Sequence, residues 1–532
     1  MKRRAFWIGL CVIGPMVLLL WLGQGRERPA AATARLETPL ETALTTLPSH
    51  ETLRFIVHLS AQPALAEEAL PPEKVARRQA VVTQLQDFAA ASQAALLREL
   101  STQQGQGNVT HFQPLWVINA VIVEGNAAAI ATLAARPDVA SLSLDAAQQY
   151  LAEPTEVFTS TAPTGFTWGV KQVMAPHAWY GLGVNGTGVV VAIMDTGVDW
   201  QHPALAANYR GNQGGGINHI GHWYDPVENS PEPIDPHNHG THVAGTAVGQ
   251  LGIGVAPGAQ WIGVRMLNSY GQGFPSEIHL AFQWLLAPAG NPALAPDVVN
   301  ASWGSGDGLD TTYQADIQML HAAGIIPVFA AGNSGPDSGS VGSPASLPDV
   351  LAVGASDSRD IVTWFSSRGP SPLTNEIKPE LVAPGGGILS SLPGGNYGVN
   401  SGTSMATPHV AGAAALLLSA NPQLTRQQVR QLLRSTATPI NPPHPNPQSG
   451  YGRLDAYALV ANQVPHGLLM GQLVRLIGGA PSLAHTPITI TTPGGETLIY
   501  QTDEMGARPR SNQAVISYRW LPLGISPLPS PG

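Results

Sequence analysis

Two hydrophobic patterns alternate along the middle of the chain. Gly188-Val189-Val190-Val191-Ala192-Ile193-Met194 is short, apolar and β-branched, the pattern of a parallel strand buried on both faces. Val328-Phe329-Ala330-Ala331-Gly332-Asn333 is another apolar strand that ends in a polar residue. Runs of small or aliphatic residues lie between and beyond them: a buried helix opens at His239 and runs past Thr246, and an Ala- and Leu-rich helix covers Ala411 to Leu418. Each run meets polar residues at one end. Asp195-Thr196-Gly197-Val198-Asp199 follows the first strand, and Gly402-Thr403-Ser404 precedes the second helix. Open α/β sheets gather their sites at the carboxyl ends of such strands.

Upstream the periods are mixed. Leu53-Arg54-Phe55-Ile56-Val57-His58-Leu59 has strand character. After Pro71-Pro72, Val75, Val82, Leu85, Phe88, Ser92, Leu96 and Leu100 follow at mostly helical spacing. A second strand (Val117 to Glu124), a short helix (Ala127 to Ala134) and a final strand (Val139 to Leu144) make this a small α+β unit over 35–145. A linker rich in Thr, Ala and Pro spans 146–166, and the large unit should run over 167–462. Beyond it, Gly471-Gln472-Leu473-Val474 and Ile488-Thr489-Ile490-Thr491 predict strands. Thr502-Asp503-Glu504-Met505-Gly506 resembles a turn of small β-sandwich domains. Ala507-Arg508-Pro509-Arg510 then replaces the strand such a sandwich needs, so 463–532 read as a partial β module.

Composition narrows the class. The chain has 532 residues, enough for several domains and one large core. Only 11% of residues are charged, against about 25% in an average protein. The formal charge of −9 leaves no basic stripe, so nucleic acid is excluded as a partner. Residues 1–34 predict an export segment: Lys2, Arg3 and Arg4, an uncharged run from Ala5 to Gly23, and an Ala32-Thr33-Ala34 cleavage signal. That run is also long enough to anchor the chain in a membrane, facing outside, if it is not cleaved. The one cysteine, Cys11, lies within it, so disulfide and thiol chemistry are absent from the remainder.

Three of the polar runs compose one chemistry. A serine at a helix N-terminus has unpaired N–H donors and a partial positive charge beside it, which suit an oxyanion. Pro408 is tolerated so early in that helix, where first-turn N–H groups have no intrahelical partner. His239-Gly240-Thr241-His242-Val243-Ala244-Gly245-Thr246 brings an imidazole, and Asp195 a carboxylate. Nucleophile, base and orienting carboxylate are the requirements of acyl transfer through a covalent intermediate.

The runs around Asp195, His239 and Ser404 resemble those of subtilisin-like (subtilase) serine endopeptidases nearly residue for residue. The layout, including His222-Trp223-Tyr224-Asp225, is similar to the bacillopeptidase F branch of that family. The resemblance implies an α/β fold with a doubly wound, mostly parallel sheet flanked by helices. It makes 35–145 an inhibitory, ferredoxin-like propeptide released by cleavage within 146–166. It implies that Asp195 orients, His239 acts as base and then acid, and Ser404 attacks. Asn333 would stabilise the oxyanion together with the Ser404 N–H. Gly450-Tyr451-Gly452-Arg453-Leu454-Asp455 resembles the closing turn and last helix of the family's domain.

Specificity and ligands follow from the same resemblance. Val298-Val299-Asn300-Ala301-Ser302-Trp303-Gly304 would align an extended substrate along Ser302, Trp303 and Gly304, with Ala330, Ala331 and Gly332 walling the P1 pocket. Small walls predict a preference for bulky apolar P1 residues, and Trp303 should crowd the cleft with an aromatic face. No cofactor is required for the chemistry. His219, His222, His237, His239 and His242 crowd one segment but lack HExxH spacing. Structural calcium is a known feature of relatives, yet Gly249 to Pro257 lacks the insertion that carries the usual site. The expected partners are protein or peptide substrates and the chain's own propeptide, around a monomer. Two other readings stay open: a catalytically idle peptide binder using the Ser302–Gly304 edge, and a protease that matures one dedicated partner.

Overall fold

The computed structural model describes residues 35–46, 48, 51–151, 158–212, 214–464 and four strands beyond them. The export segment, linker residues 152–157 and the expected turn at 502–506 lie outside the described residues.

The N-terminal unit runs β1 (Arg35–Leu36), α1 (Thr38–Thr46), β2 (Leu53–Leu59), α2 (Lys74–Gly105), β3 (Val109–Leu115), β4 (Ala120–Gly125), α3 (Ala127–Ala134) and β5 (Val139–Leu144). Its sheet has the order β1-β5-β2-β4-β3. Without β1 this is the ferredoxin-like βαββαβ arrangement; β1 adds parallel to β5 at the edge. The Glu73 side chain caps α2 by accepting from the N–H groups of Val75 and Ala76 at 3.0 and 2.7 Å. Val82, Leu85, Leu96 and Leu100 are buried along α2 as their spacing predicts, whereas Val75 in the first turn is exposed. Strand β3 has no counterpart in the sequence reading. Its Thr-His-Phe-Gln-Pro run lacks an apolar face, and Pro114 argues against a central strand; β3 lies at the sheet edge, where proline is tolerated.

After β6 (Gln148–Gln149) and β7 (Phe158–Ser160) come two short helices, α4 (Trp168–Gln172) and α5 (Ala175–Leu182). The large unit then continues through β8 (Val190–Asp195), β9 (Trp223–Tyr224), α6 (His239–Val248), β10 (Gln260–Arg265), β11 (Gln272–Gly273), α7 (Pro275–Leu286), β12 (Val298–Ala301), α8 (Gln314–Ala322), β13 (Ile326–Ala330), β14 (Leu351–Ser356) and β15 (Leu381–Pro384). A hairpin, β16 (Ile388–Leu392) and β17 (Asn396–Asn400), leads to α9 (Thr403–Ala420), α10 (Arg426–Thr436) and α11 (Ala456–Ala461). Seven strands pair in parallel in the order β15-β14-β13-β12-β8-β10-β9. The order reverses beside β8, whose neighbours are β12 and β10, so its carboxyl end is a switch point.

Alternation along the strands builds two cores. Val191, Ile193, Val298 and Val328 face α6 and α9, while Ala192, Met194, Val299 and Phe329 face α7 and α8. The N-terminal unit packs on the second layer, with Ile56, Val81, Leu85 and Val117 in one apolar cluster with Phe282 and Leu285. Arg78 anchors it: fully buried, it donates to the carbonyls of Ala295 (2.8 Å) and Pro296 (2.5 Å) and pairs with Asp297 at 2.9 Å. The Gln283 side-chain oxygen accepts from the Trp116 N–H at 2.7 Å.

Toward the C-terminus, β18 (Gly467–Gly471) pairs with β21 (Ala514–Tyr518), and β19 (Pro487–Thr491) with β20 (Thr497–Gln501). Strand β18 reaches Gly471, the first residue of the strand expected at Gly471 to Val474, and residues 472–474 lie outside the described residues.

Candidate active site

Asp195 is the last residue of β8 and is fully buried. Its Oδ1 accepts from His239 Nδ1 at 2.8 Å and from the Thr196 N–H at 2.8 Å. The loop after it must lie flat on its neighbours. A Cβ on Gly197 would meet the Ile234 carbonyl oxygen at 1.8 Å, and one on Gly240 would meet the Gly197 oxygen at 1.9 Å. Only glycine at both positions lets the loop after Asp195 and the helix carrying His239 come into backbone contact. His239 is the first residue of α6, and its side chain keeps 10% of its exposure. Burial disfavours the imidazolium, but the charge and hydrogen bond of Asp195, aided by Asp235, outweigh it and raise the pKa above the ordinary 6.5.

The helix bearing Ser404 begins at Thr403, eight residues before the apolar run that announces it. Ser404 therefore sits in the first turn, not ahead of the helix. Pro408 lies inside this helix and has no N–H for the carbonyl four residues back, which is that of Ser404. Ser302 takes over: its Oγ donates to the Ser404 carbonyl at 2.9 Å, and the Ser404 Oγ donates to the Ser302 carbonyl at 2.9 Å. Asn300 Nδ2 donates to Ser302 Oγ at 3.0 Å and orients it. The Ser404 hydroxyl is thus turned to Ser302 rather than to His239. Helices α6 and α9, which carry His239 and Ser404 in their first turns, pack through small side chains, with Gly412 against the Ala247 carbonyl.

Asn333 follows β13 and is exposed. Its Oδ1 accepts from the N–H and the hydroxyl of Thr403, both at 2.9 Å, which leaves Nδ2 to face outward. A Cβ built on Gly402 would lie 3.5 Å from Asn333 Nδ2 and 3.6 Å from the Ser404 N. Two donors therefore border one small space beside the serine. An oxyanion would need both donors at about 2.7–3.1 Å.

The other sequence-chosen residues surround this point in two groups. Ala330 and Ala331 are buried at the end of β13, and Gly332 (φ 104°) donates its N–H to Thr403 Oγ1 at 3.2 Å. The Gly304 N–H donates to the Tyr150 carbonyl at 3.1 Å, while the Tyr150 N–H donates to Gly271 at 3.1 Å. Strand β6 extends this pairing antiparallel to β11. A segment from the end of the N-terminal unit thus runs as an extended peptide between two edges of the large unit. Trp303 is almost fully buried, its ring in edge contact with Tyr150 at 5.7 Å and with Tyr313 at 5.6 Å. Past residues 152–157 the chain resumes as β7, paired antiparallel with β17 four residues before Ser404 begins its turn.

The clustered histidines mostly have protein partners. His219 bonds the Tyr209 hydroxyl at 3.0 Å, and His222 accepts from Arg210 Nε at 2.9 Å. Buried His242 spans the Ile388 and Gly398 carbonyls at 3.1 and 3.2 Å, and burial lowers its pKa to about 4. His237 stacks edge-on to His239 at 6.2 Å. Among the described residues, no three His, Cys, Asp or Glu side chains group as metal ligands do.

Sequence reasoning missed four supporting residues: Asp235, Asn300, Thr403 and Tyr313. Asp235 and Thr403 hold backbone around the candidate catalytic side chains, and Asn300 orients the Ser302 hydroxyl that bonds the Ser404 carbonyl. Asp235 had a faint signal, standing four residues before His239 with Thr196 and Thr241 following the two key positions. Tyr313, whose hydroxyl meets that of Tyr150 at 2.5 Å, had none.

Comparison with known proteins points the same way. Residues 186–452 match the subtilase family profile. Bacillopeptidase F of Bacillus subtilis (strain 168) is 39% identical over 470 residues, covering 80% of this chain and 32% of that protein. The alkaline protease of Alkalihalobacillus alcalophilus is 39% identical over 307 residues, 57% of this chain and 72% of the relative. Subtilisin of Bacillus pumilus is 41% identical over 278 residues, 51% of this chain and 91% of the relative. The chain thus spans about a third of the length of Bacillopeptidase F.

Proposed function

The chain belongs to the subtilase family of serine endopeptidases, and from that premise we propose that it is an exported protease that cuts itself free of its N-terminal unit. Ser404 attacks the peptide carbonyl after rotating from Ser302 toward His239, which takes its proton and later gives it to the leaving amine. Asp195 holds the imidazole tautomer and offsets the charge that forms. Asn333 Nδ2 and the Ser404 N–H receive the oxyanion. No step calls on a cofactor. A substrate adds as a strand against Gly304, with its P1 side chain between Ala330, Ala331 and Gly332 and a preference for bulky apolar residues.

One observation carries the self-processing reading. The segment ending at Tyr150 and Leu151 already pairs with Gly304 and Gly271 as a substrate would, and β7 pairs with the strand leading to Ser404. Residues 35–145 are then an intramolecular inhibitor, with the processing site inside 146–166. Residues 1–34 would direct export, with a membrane anchor as the alternative outcome if they are retained. Among the described residues, no helix is long and apolar enough to cross a membrane.

The test is the intact mass of the purified chain beside Ser404→Ala. Loss of a fragment ending between about Asp145 and Thr167 in the wild type alone supports the reading. Two full-length products would favour the idle peptide binder, and two products cut alike would assign the cut to a host protease.

A further inference from the structure

We infer that Asp235 is a positioning residue of this site: its carboxylate clamps the loop bearing Asp195 to the helix bearing His239 and holds their hydrogen bond in register. The inference rests on the serine endopeptidase reading above and adds a residue outside the triad and the oxyanion donors.

Five donors converge on this one carboxylate. Oδ1 accepts from Thr196 Oγ1 at 2.9 Å and from the N–H groups of His237 and Asn238 at 3.1 and 3.0 Å. Oδ2 accepts from the Thr241 N–H at 2.8 Å and from Thr241 Oγ1 at 2.6 Å. Thr196 is the neighbour of Asp195, and Thr241 lies two residues after His239. Both threonines pass the connection on. Thr196 Oγ1 accepts from the Gly240 N–H at 3.0 Å, and Thr241 Oγ1 accepts from the Asp199 N–H at 2.9 Å. The clamp therefore closes a ring around the 2.8 Å bond between Asp195 and His239, from both sides.

Only a carboxylate satisfies that ring. The threonine hydroxyls can rotate, but the N–H groups of His237, Asn238 and Thr241 cannot stop donating. An amide in place of Asp235 would turn its NH2 against one set or the other. A misplaced base is costly in this chemistry, since errors of about 1 Å lower rates by about 100-fold.

Asp235 also adds negative charge near the imidazole. The groups facing His239 are the carboxylates of Asp195 and Asp235 and the rings of His237 and His242. Buried His242, with its pKa lowered to about 4, is uncharged near neutrality.

Two measurements test this. First, kcat and KM of processed Asp235→Asn and Thr241→Val are referred to active sites counted with a fluorophosphonate label. The expected result is a fall in kcat of about 10- to 100-fold for Asp235→Asn, with KM within about twofold and Thr241→Val in between. Second, His239 is titrated by NMR in Ser404→Ala and Asp235→Asn/Ser404→Ala chains, which needs no activity. Its midpoint should drop by roughly half a unit, less than an adjacent opposite charge would cause. Unchanged kcat per labelled site with an unchanged His239 titration overturns the clamp, whatever the melting temperature does. An inactive wild type overturns the endopeptidase reading with it, whereas an active wild type beside unaffected variants overturns the clamp alone. If Asp235→Asn does not fold, Thr241→Val decides by the same readouts.

Discussion

The pairing of Ser302 with the Ser404 carbonyl makes a sharp prediction, because its cause is a proline. Pro408 withholds the N–H that would bond the carbonyl of Ser404, and Ser302 Oγ supplies the missing donor at 2.9 Å. Ser302→Ala removes that donor and also strands Asn300 Nδ2, which is fully buried. At about 1–2 kcal/mol for each unsatisfied group, the lower part of the usual range because Ser404 is only half-buried, Ser302→Ala should destabilise the large unit by about 2–4 kcal/mol. In a Pro408→Ala background the helix regains its own donor for Ser404. Ser302→Ala then costs only the Asn300 half, about 1–2 kcal/mol. The two substitutions should therefore couple by about 1–2 kcal/mol in a double-mutant cycle. At about 2 °C per kcal/mol for a unit of this size, Ser302→Ala should lower Tm by roughly 4–8 °C alone and by about half that beside Pro408→Ala. Differential scanning fluorimetry at one fixed scan rate, in Ser404→Ala chains that cannot digest themselves, reads both shifts. Equal shifts in the two backgrounds would refute the reasoning, because the carbonyl would then have had no need of Ser302.

Three further outcomes follow from the same contacts. Because His239 is held above its ordinary pKa and must be neutral to act, kcat/KM should rise with pH through a midpoint above about 6.5. Asp195→Asn should move that midpoint down and lower kcat by about 10⁴-fold in a stopped assay with a chromogenic peptide; a midpoint below 6.5 in the wild type would contradict the electrostatics. Tyr150→Phe leaves the buried Tyr313 hydroxyl without its partner at 2.5 Å and should destabilise the uncut Ser404→Ala chain by about 1–2 kcal/mol, seen as a lower Tm, while leaving the processed enzyme unchanged. Arg78→Met leaves Asp297 short of its buried partner and should loosen the N-terminal unit by about 3 kcal/mol, read as faster chymotrypsin cleavage at the aromatic residues between 145 and 167 in a Ser404→Ala chain.

Much of this protein was legible from local pattern alone. Apolar β-branched runs ending in Asp195 and Asn333, and a helix opening at His239, gave the sheet, the site's edge and the candidate residues. Burial on both faces forces continuous hydrophobic strands, and chemistry needs fixed residue types at their ends. The α+β alternation of the N-terminal unit was readable for the same reason, its ferredoxin-like order only through the family resemblance, and β3 not at all, because an edge strand needs neither an apolar face nor a full ladder.

What the sequence alone could not decide is how distant segments complete one another. Ser302 and Ser404 are 102 residues apart, and Tyr150 and Tyr313 are 163 apart, with no periodicity linking either pair. Their contacts exist because the parallel sheet brings separate strand ends to one rim and the N-terminal unit lays its last residues across it. The true start of the Ser404 helix was hidden too: Pro408 reads as a first-turn residue, yet the helix already begins at Thr403, because Asn333 caps Thr403 and Ser302 replaces the bond that Pro408 cannot make. Residue types and their short-range spacing were therefore set by sequence. The hydrogen-bond partners that hold the candidate nucleophile and base were chosen only in three dimensions, because a buried polar group bonds whatever the fold brings within 3 Å.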